Sequence, residues 1–180
     1  NGPGRVYLGV VAPGRALRGV SVRTYATLLA AAQKHFEPKG ALDQPADPYM
    51  TLVGYFNSLR ELGGMRRLVE DEVRRRIAQF DRGKRPHDFN GPHPWAADRA
   101  LKEPAELTSR ESTGRVKETK HRLAARYAAK EPEPLDVVLH GDVGGHGAHR
   151  VTQLARELGE ARLGDVPGHD RRRRQVLLAA

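Results

Sequence analysis

The chain has 180 residues, no cysteine and a formal net charge of +9, with a mean hydropathy of -0.63. This length suits one domain or one lobe of a larger enzyme, and the lack of cysteine excludes disulfides and thiolate metal sites. No apolar run is long enough to cross a bilayer or to serve as a signal segment, so we expect a cytoplasmic protein without membrane contact, whose basic charge favours polyanionic partners.

The first half of the chain predicts strands that alternate with helices. Arg5–Val11 is a candidate strand, and apolar residues at helical spacing then predict a helix over residues 20–36. The apolar run Thr51–Phe56 predicts a buried strand, and a long amphipathic helix is expected over Ser58–Phe80. The expected inner face of this helix comprises Leu59, Leu62, Leu68, Val69, Val73, Ile77 and Phe80.

Polar residues join this strand to the long helix. Ser58 precedes Glu61 by three residues, which is the spacing of a capping box, so the helix should begin directly after the strand. Asn57, Ser58 and Arg60 would then lie beside exposed backbone amides, which suit an anion such as a backbone phosphate. The pair Gly63–Gly64 is unfavourable inside a helix, and we interpret it as a kink or close packing rather than as room for a ligand.

Residues 80–104 predict an exposed loop insert, because they are polar, rich in proline and glycine, and too numerous for an ordinary turn. Trp95, the single tryptophan of the chain, lies in this insert. Its ring could stack on a nucleic-acid base, but we interpret Trp95 as an anchor that pins the loop to the body of the domain.

The second half continues the alternation. A short strand is predicted at Ala105–Thr108, a helix at Ser112–Ala129 and a further strand at Leu135–Leu139. Strands that alternate with helices predict an α/β fold, a parallel sheet with flanking helices. From His140 onward the sequence is rich in Gly, His and Arg, so we expect a poorly ordered C-terminal tail over residues 140–180.

Two stretches resemble motifs of superfamily 2 DNA helicases. The stretch VGYFNSLRELGG (residues 53–64) is similar to the motif that opens the second RecA-like lobe of these enzymes. A longer match, DPYMTLVGYFNSLRELGGMRRLVEDEV followed by ELTSR and LDVVL, resembles the helicases of the DISARM anti-phage defence system. The resemblance covers residues 1–139 and implies a partial RecA-like helicase C-terminal lobe.

The resemblance also implies which residues would bind DNA. Helicases of this type hold one strand through its phosphates, without reading the sequence. Both implied groups follow predicted parallel strands, whose carboxyl ends are where open α/β sheets place ligands. In the alternative interpretation, Ser58 and Ser109 only cap helices and the two arginines are solvated. The implied contacts are Asn57, Ser58, Arg60, Thr108, Ser109 and Arg110.

The sequence lacks the motifs of ATP chemistry. No G-x-x-x-x-G-K-[ST] loop is present, and the arginine-containing motif that the family carries after LDVVL is missing. We therefore expect a fragment without catalytic activity of its own, an expectation that the first residue, Asn rather than Met, supports. The intact helicase would require ATP, Mg²⁺ and a first RecA-like lobe. The expected partners are single-stranded or forked DNA, that missing lobe and other subunits of the defence system.

The resemblance stops at Leu139, inside an expected motif. One hypothesis is that the gene is read out of frame from this point, because codons permitted for residues 166–176 can spell much of the missing motif in the adjacent frame. Sequencing of the coding DNA would test this. The run Arg171–Arg174 is interpreted as a solvated basic end.

Two other functions remain open at this point. The stretch LDVVLHGDVGGH (residues 135–146) resembles the strand and loop of a calcineurin-like metallophosphoesterase, with His140, Asp142 and His146 as metal ligands, although the other motifs of that family are missing. Alternatively, the chain is a protein-interaction module that binds a partner through the face of the first helix, residues 22–36.

Overall fold

Two apolar runs form the centre of the sheet. In the computed structural model, Leu52–Phe56 forms strand β1 and Val137–Gly141 forms strand β3, and every residue of β1 is buried. Runs that are apolar on both faces are typical of strands covered by helices on both sides of a parallel sheet. The structure describes residues 9–11, 13–42, 44–81 and 92–141, together with the backbone of Leu177–Ala179.

The sheet has four strands in the order β2-β3-β1-β4, where β2 is Ala105–Leu107 and β4 is Leu177–Ala179. All three pairings are parallel, so the carboxyl ends of the strands meet at one edge, which we call the carboxyl edge. The parallel α/β sheet expected from the sequence is confirmed. Strand β4 was not predicted, and residues 142–176 of the predicted tail lie outside the described residues.

The described helices are α1 (Leu17–His35), α2 (Leu59–Leu68), α3 (Arg74–Ile77) and α4 (Thr113–Ala124). Two short 3₁₀ turns, Asp47–Tyr49 and Tyr127–Ala129, precede β1 and follow α4. In the described ranges, no helix is both long enough and apolar enough to pass through a bilayer. Helix α4 is shorter than the predicted helix over Ser112–Ala129, because the backbone of Ala125 is extended and ends it.

A π-helical turn, Val69–Val73, joins α2 to α3 and makes the long helix nearly continuous. The reason lies in the spacing of the apolar residues. Val69, Val73 and Ile77 follow one another at intervals of four and are all buried. In an α-helix of 3.6 residues per turn such a series drifts around the axis, whereas the wider π turn keeps these side chains on the core side.

Helices cover the sheet on both faces. On one face, α1 and the long helix bury Leu29, Val73 and Ile77 against Leu52, Phe56 and other side chains of β1 and β3. On the other face, α4 contributes Leu123 to a smaller cluster with Val53, Tyr55 and Val138. This alternation along β1 explains why the strand is buried throughout.

Some predicted bounds change. Of the predicted strand Arg5–Val11, residues 9–11 have irregular backbone, and residues 5–8 lie outside the described ranges. Strand β3 begins and ends two residues later than predicted, so His140 and Gly141 belong to the sheet rather than to the tail.

The predicted exposure of residues 80–104 is wrong for several residues in the second half of that segment. Ala96, Arg99 and Leu101 are buried, and the amides of Ala97 and Arg99 donate to carbonyl oxygens of α1 and α3. The polar sequence predicted exposure, but the charged side chain of Arg99 is buried. Residues 82–91 lie outside the described ranges.

Trp95 packs edge to face against His93, with ring centroids 4.3 Å apart, and against Phe80 at 6.4 Å. These contacts attach the segment to the end of the long helix, in agreement with the predicted anchor, although half of the Trp95 side chain stays exposed. The long helix runs away from the carboxyl edge over 19 residues, about 28 Å. Trp95 is therefore far from the predicted phosphate contacts.

Arg99 is the centre of a buried polar network at the amino ends of β1 and β3. Its Nη2 donates to the Met50 carbonyl oxygen at 2.7 Å and to Asp136 Oδ1 at 2.5 Å. The Tyr127 hydroxyl donates to the same Asp136 oxygen at 2.6 Å, and the Lys102 amide donates to Asp136 Oδ2 at 2.7 Å. The network ties residues 99–102 and the turn after α4 to the amino end of the sheet, and its members are too far apart in sequence for a motif to show it.

We predict that Gly54→Ala destabilises the fold. A Cβ atom on Gly54 would overlap the buried Tyr25 hydroxyl oxygen of α1, and overpacking of this kind costs about 1–3 kcal/mol. The second substitution Tyr25→Phe, which removes that oxygen, should recover much of the loss. The free energy of unfolding, measured with urea, checks both variants. Equal stability of Gly54→Ala and the parent chain would contradict the close packing of α1 on β1.

We also predict that Asp136→Asn lowers the free energy of unfolding by about 3–5 kcal/mol, because it leaves the buried Arg99 guanidinium without its counterion. Glu133→Gln is the matched control, since Glu133 pairs with Lys102 and Arg122 at the surface and its loss should change stability little. Urea denaturation of both variants is the measurement. Similar effects at the two sites would show that the network does not hold the amino end together.

Candidate nucleic-acid interface

The two predicted groups of polar residues lie at the same edge of the sheet. Asn57 and Ser58 follow β1, and Thr108–Arg110 follow β2, so both groups lie at the carboxyl edge. The two strands that carry these groups are not adjacent, because β3 runs between β1 and β2. Two strand spacings separate the two groups by about 10 Å.

Gly141, the last residue of β3, lies between the two groups. A Cβ atom there would lie 2.9 Å from Leu62 Cδ1, 3.3 Å from Leu59 Cδ2 and 3.6 Å from Thr108 Cγ2. The first turns of α2 therefore cross directly over the end of β3 and approach the turn after β2. The sequence marked Gly141 only as part of a glycine-rich stretch, although a glycine at a strand end is a known sign of close backbone approach.

Ser58 caps α2 as predicted. Its Oγ accepts a hydrogen bond from the Glu61 amide at 3.2 Å, so the serine half of the capping box is present. Asn57 and Arg60 are exposed on either side of this cap. The remaining amides of the first turn and the positive end of the helix dipole favour an anion at this position.

Thr108 is buried and shapes the second turn. Its Oγ1 accepts from the Arg110 amide at 3.3 Å, and its carbonyl oxygen accepts from the Glu111 amide at 3.2 Å. The turn leaves Ser109 and Arg110 exposed. Ser112, rather than Ser109, caps α4, so the alternative role proposed for Ser109 as a helix cap is wrong.

Arg60 and Arg110 are the cations of this edge. In the ranges that the structure describes, neither forms an ion pair with a carboxylate. By contrast, Arg66 and Arg115, which lie nearby in sequence, are paired with Glu70 and Glu111. The edge thus presents two positive charges with which no acid among those residues forms an ion pair.

The glycines of α2 do not serve close packing. A Cβ atom on Gly63 or Gly64 would meet no atom of the described residues within 4 Å. Our interpretation of this pair as a packing contact is therefore wrong for the part of the chain that the structure describes. Both residues leave open space beside α2 instead.

Tyr55 and His140 lie side by side, one residue before the ends of β1 and β3, with ring centroids 5.4 Å apart. The Tyr55 hydroxyl is buried and has no hydrogen-bond partner among the described residues. Burial raises the pKa of Tyr55 from 10.0 to about 12. A neutral phenol therefore underlies the carboxyl edge at physiological pH.

The two other predicted functions gain nothing from this geometry. Asp142 and His146 lie outside the described residues, whereas His140 is described and belongs to β3. No group of three or more potential metal ligands occurs within the described ranges. The predicted interaction face of α1 is wrong in part, because Val22, Tyr25 and Leu29 are core residues. An apolar groove of about 490 Å³ does lie beside α1, lined by its residues Leu28, Leu29, Ala31, Ala32 and His35 and by Pro45, Ala46, Tyr49, Thr51 and Leu52.

Comparison with known proteins shows a similarity to a DISARM protein. The chain is 36% identical over 137 residues to the DISARM protein DrmA of Bacillus paralicheniformis. The aligned part is 76% of this chain and 11% of the relative, so the chain spans about a tenth of the length of that protein. No family model matches the chain.

We predict opposite effects for the removal of two tyrosine hydroxyls. Tyr55→Phe should raise the free energy of unfolding at pH 7 by about 1 kcal/mol, because it deletes a buried hydroxyl without a partner in the described residues. Tyr127→Phe should lower it by about 1 kcal/mol, because this hydroxyl donates to Asp136. Urea denaturation measures both.

The same variants carry a pH signature. Burial raises the pKa of Tyr127, like that of Tyr55, from 10.0 to about 12. Between pH 10 and 12 the unfolded chain releases these protons and the folded chain retains them, so stability falls as the pH rises. Each phenylalanine variant should show a shallower fall. A parent-like pH slope in Tyr55→Phe would contradict the burial of its phenol.

Proposed function

We propose that this chain is the nucleic-acid-binding part of a helicase-related phage-defence protein. The similarity to the DISARM protein DrmA supports a role in that defence system. The sequence motifs around Asn57 and Thr108 support the second RecA-like lobe of a superfamily 2 helicase as the matching part. The ligand we propose is the sugar–phosphate backbone of single-stranded or forked DNA.

The observation that carries the proposal is the meeting of both motifs at the carboxyl edge. Parallel strand order places the start of α2 and the Thr108 turn on one rim, with Gly141 between them. Ligands of open α/β sheets bind at this rim. Arg60 and Arg110 form no ion pair with any acid of the described ranges, so their charges are suited to the phosphates of one DNA strand.

Each residue has a distinct part in this proposal. Arg60 and Arg110 neutralise phosphate charge, while Asn57 and Ser109 offer exposed polar groups for hydrogen bonds to phosphate oxygens. Ser58 and the buried Thr108 act on structure, since they cap α2 and shape the turn after β2. No contact with a base edge is required, so binding is independent of DNA sequence.

ATP chemistry belongs, in this proposal, to a longer protein that acts in the cytoplasm with a first lobe and other defence subunits. ATP and Mg²⁺ would couple hydrolysis to movement along DNA there. The described residues contain no cluster of three possible metal ligands, and they carry no motif for a nucleoside triphosphate. We therefore assign neither ATP nor Mg²⁺ to them and derive no step of hydrolysis from this chain.

We predict that Arg60→Ala combined with Arg110→Ala weakens binding of a fluorescent oligo(dT) and reduces its salt dependence. Two lost phosphate contacts should lower the slope of log K against log salt by about 1.4 for a single strand. Fluorescence anisotropy between low and moderate salt gives the slope.

The matched control is Arg75→Ala combined with Arg76→Ala. These arginines are also exposed, but they lie on α3, far along the long helix from the carboxyl edge. The net charge changes equally in both double variants. If the two pairs reduced affinity and slope to the same extent, binding would follow overall charge and the proposed interface would be wrong.

A further inference from the structure

Arg66 joins α2 to β2 across the intervening strand. Its Nη1 donates to Glu106 Oε1 at 2.7 Å, and its Nε donates to Glu70 Oε1 at 2.9 Å. Glu70 belongs to the same long helix as Arg66, whereas Glu106 is the middle residue of β2. Only the bond to Glu106 therefore connects two elements.

This ion pair links the two elements that carry the loops of the carboxyl edge. Glu106 lies two residues before Thr108, and Arg66 lies two helical turns after Ser58. Strand β2 has three residues and, in the described sheet, pairs only with β3. Ala105 and Leu107 of β2 pack toward α4 on the opposite face of the sheet. On the face of α2, one charge-assisted bond therefore has a large influence on where the turn after β2 lies.

The ion pair of Arg66 with Glu106 is also partly shielded from solvent. The Glu106 side chain is 15% exposed and that of Arg66 is 35% exposed, so solvent screens the contact less than it screens the surface pair of Arg115 and Glu111. The hydrogen bond that Arg66 donates to Glu106 is the main reason why the pKa of Arg66 is raised above its usual value.

We infer that the Arg66–Glu106 ion pair is a positioning element that fixes the distance between the start of α2 and the Thr108 turn. Gly141 lets α2 lie directly on β3, and the ion pair then holds β2 and its turn against that helix. Arg60 and Arg110 are thereby presented at a fixed separation before a ligand arrives. This inference rests on the proposed function for its ligand, but not for the positioning itself.

The test compares two substitutions with the same charge change. Glu106→Gln and Glu70→Gln each remove one negative charge beside Arg66, which by electrostatics alone should tighten the binding of a polyanion. Positioning predicts the reverse for Glu106→Gln only, an affinity for oligo(dT) that is about three- to tenfold weaker, because the two loops lose their preorganisation. Glu70→Gln should bind as well as the parent chain or better.

Amide hydrogen exchange provides a second measurement that needs no DNA. The amides of Arg110 and Glu111 donate within the Thr108 turn, so their exchange reports directly on its order. Exchange at these two amides should be faster in Glu106→Gln and unchanged in Glu70→Gln. Arg66→Lys, which keeps the charge but loses the two-point guanidinium contact, should resemble Glu106→Gln.

The outcomes separate the two proposals. If the parent chain does not bind oligo(dT), the proposed function fails, and the exchange rates still decide on positioning. Equal exchange at Arg110 and Glu111 in the Glu106→Gln and Glu70→Gln variants would overturn the positioning role. Tighter DNA binding by Glu106→Gln would overturn it as well.

Discussion

In a parallel sheet every strand ends at the same edge, and this constraint organises the molecule. Pairing of β1 with β3 and of β3 with β2 collects three strand ends at the carboxyl edge. The chain then leaves β1 into α2, which must turn back over the sheet. Because Gly141 has no side chain, the first turns of α2 can lie directly on the end of β3. The two polar loops are thus held through their parent elements, by the packing of α2 on β3 and by the bond between Arg66 and Glu106, rather than by contacts with each other.

The two ends of the sheet treat charge in opposite ways. At the amino end, Arg99 and Asp136 are buried and their charges are met by each other, by Tyr127 and by backbone groups. At the carboxyl edge, Arg60 and Arg110 are exposed, and no acid in the described ranges pairs with them. Buried charge requires a partner within the fold, whereas exposed, unpaired cations are suited to an external anion. We therefore assign stability to the amino end and propose the carboxyl edge as the side that binds a ligand.

The long helix connects these two ends. Its first turn forms part of the proposed interface, Arg66 extends from its middle to β2, and Ile77 reaches the segment that carries Arg99. The π turn keeps its apolar side chains in register with the core over this length. The helix therefore contacts both ends of the sheet.

The sequence by itself determined the class of fold, most helices and strands, and the residues of the two loops. It could do so because apolar periodicity and the Ser58 cap are local properties. Only the tertiary structure decided the strand order, the burial of Arg99, the open space beside Gly63–Gly64 and the bond between Arg66 and Glu106. The strand order and the two buried or sheltered ion pairs depend on contacts between residues 33 to 124 positions apart. Neighbouring sequence carries no signal for such contacts, since pairing across a sheet is fixed by how whole elements pack.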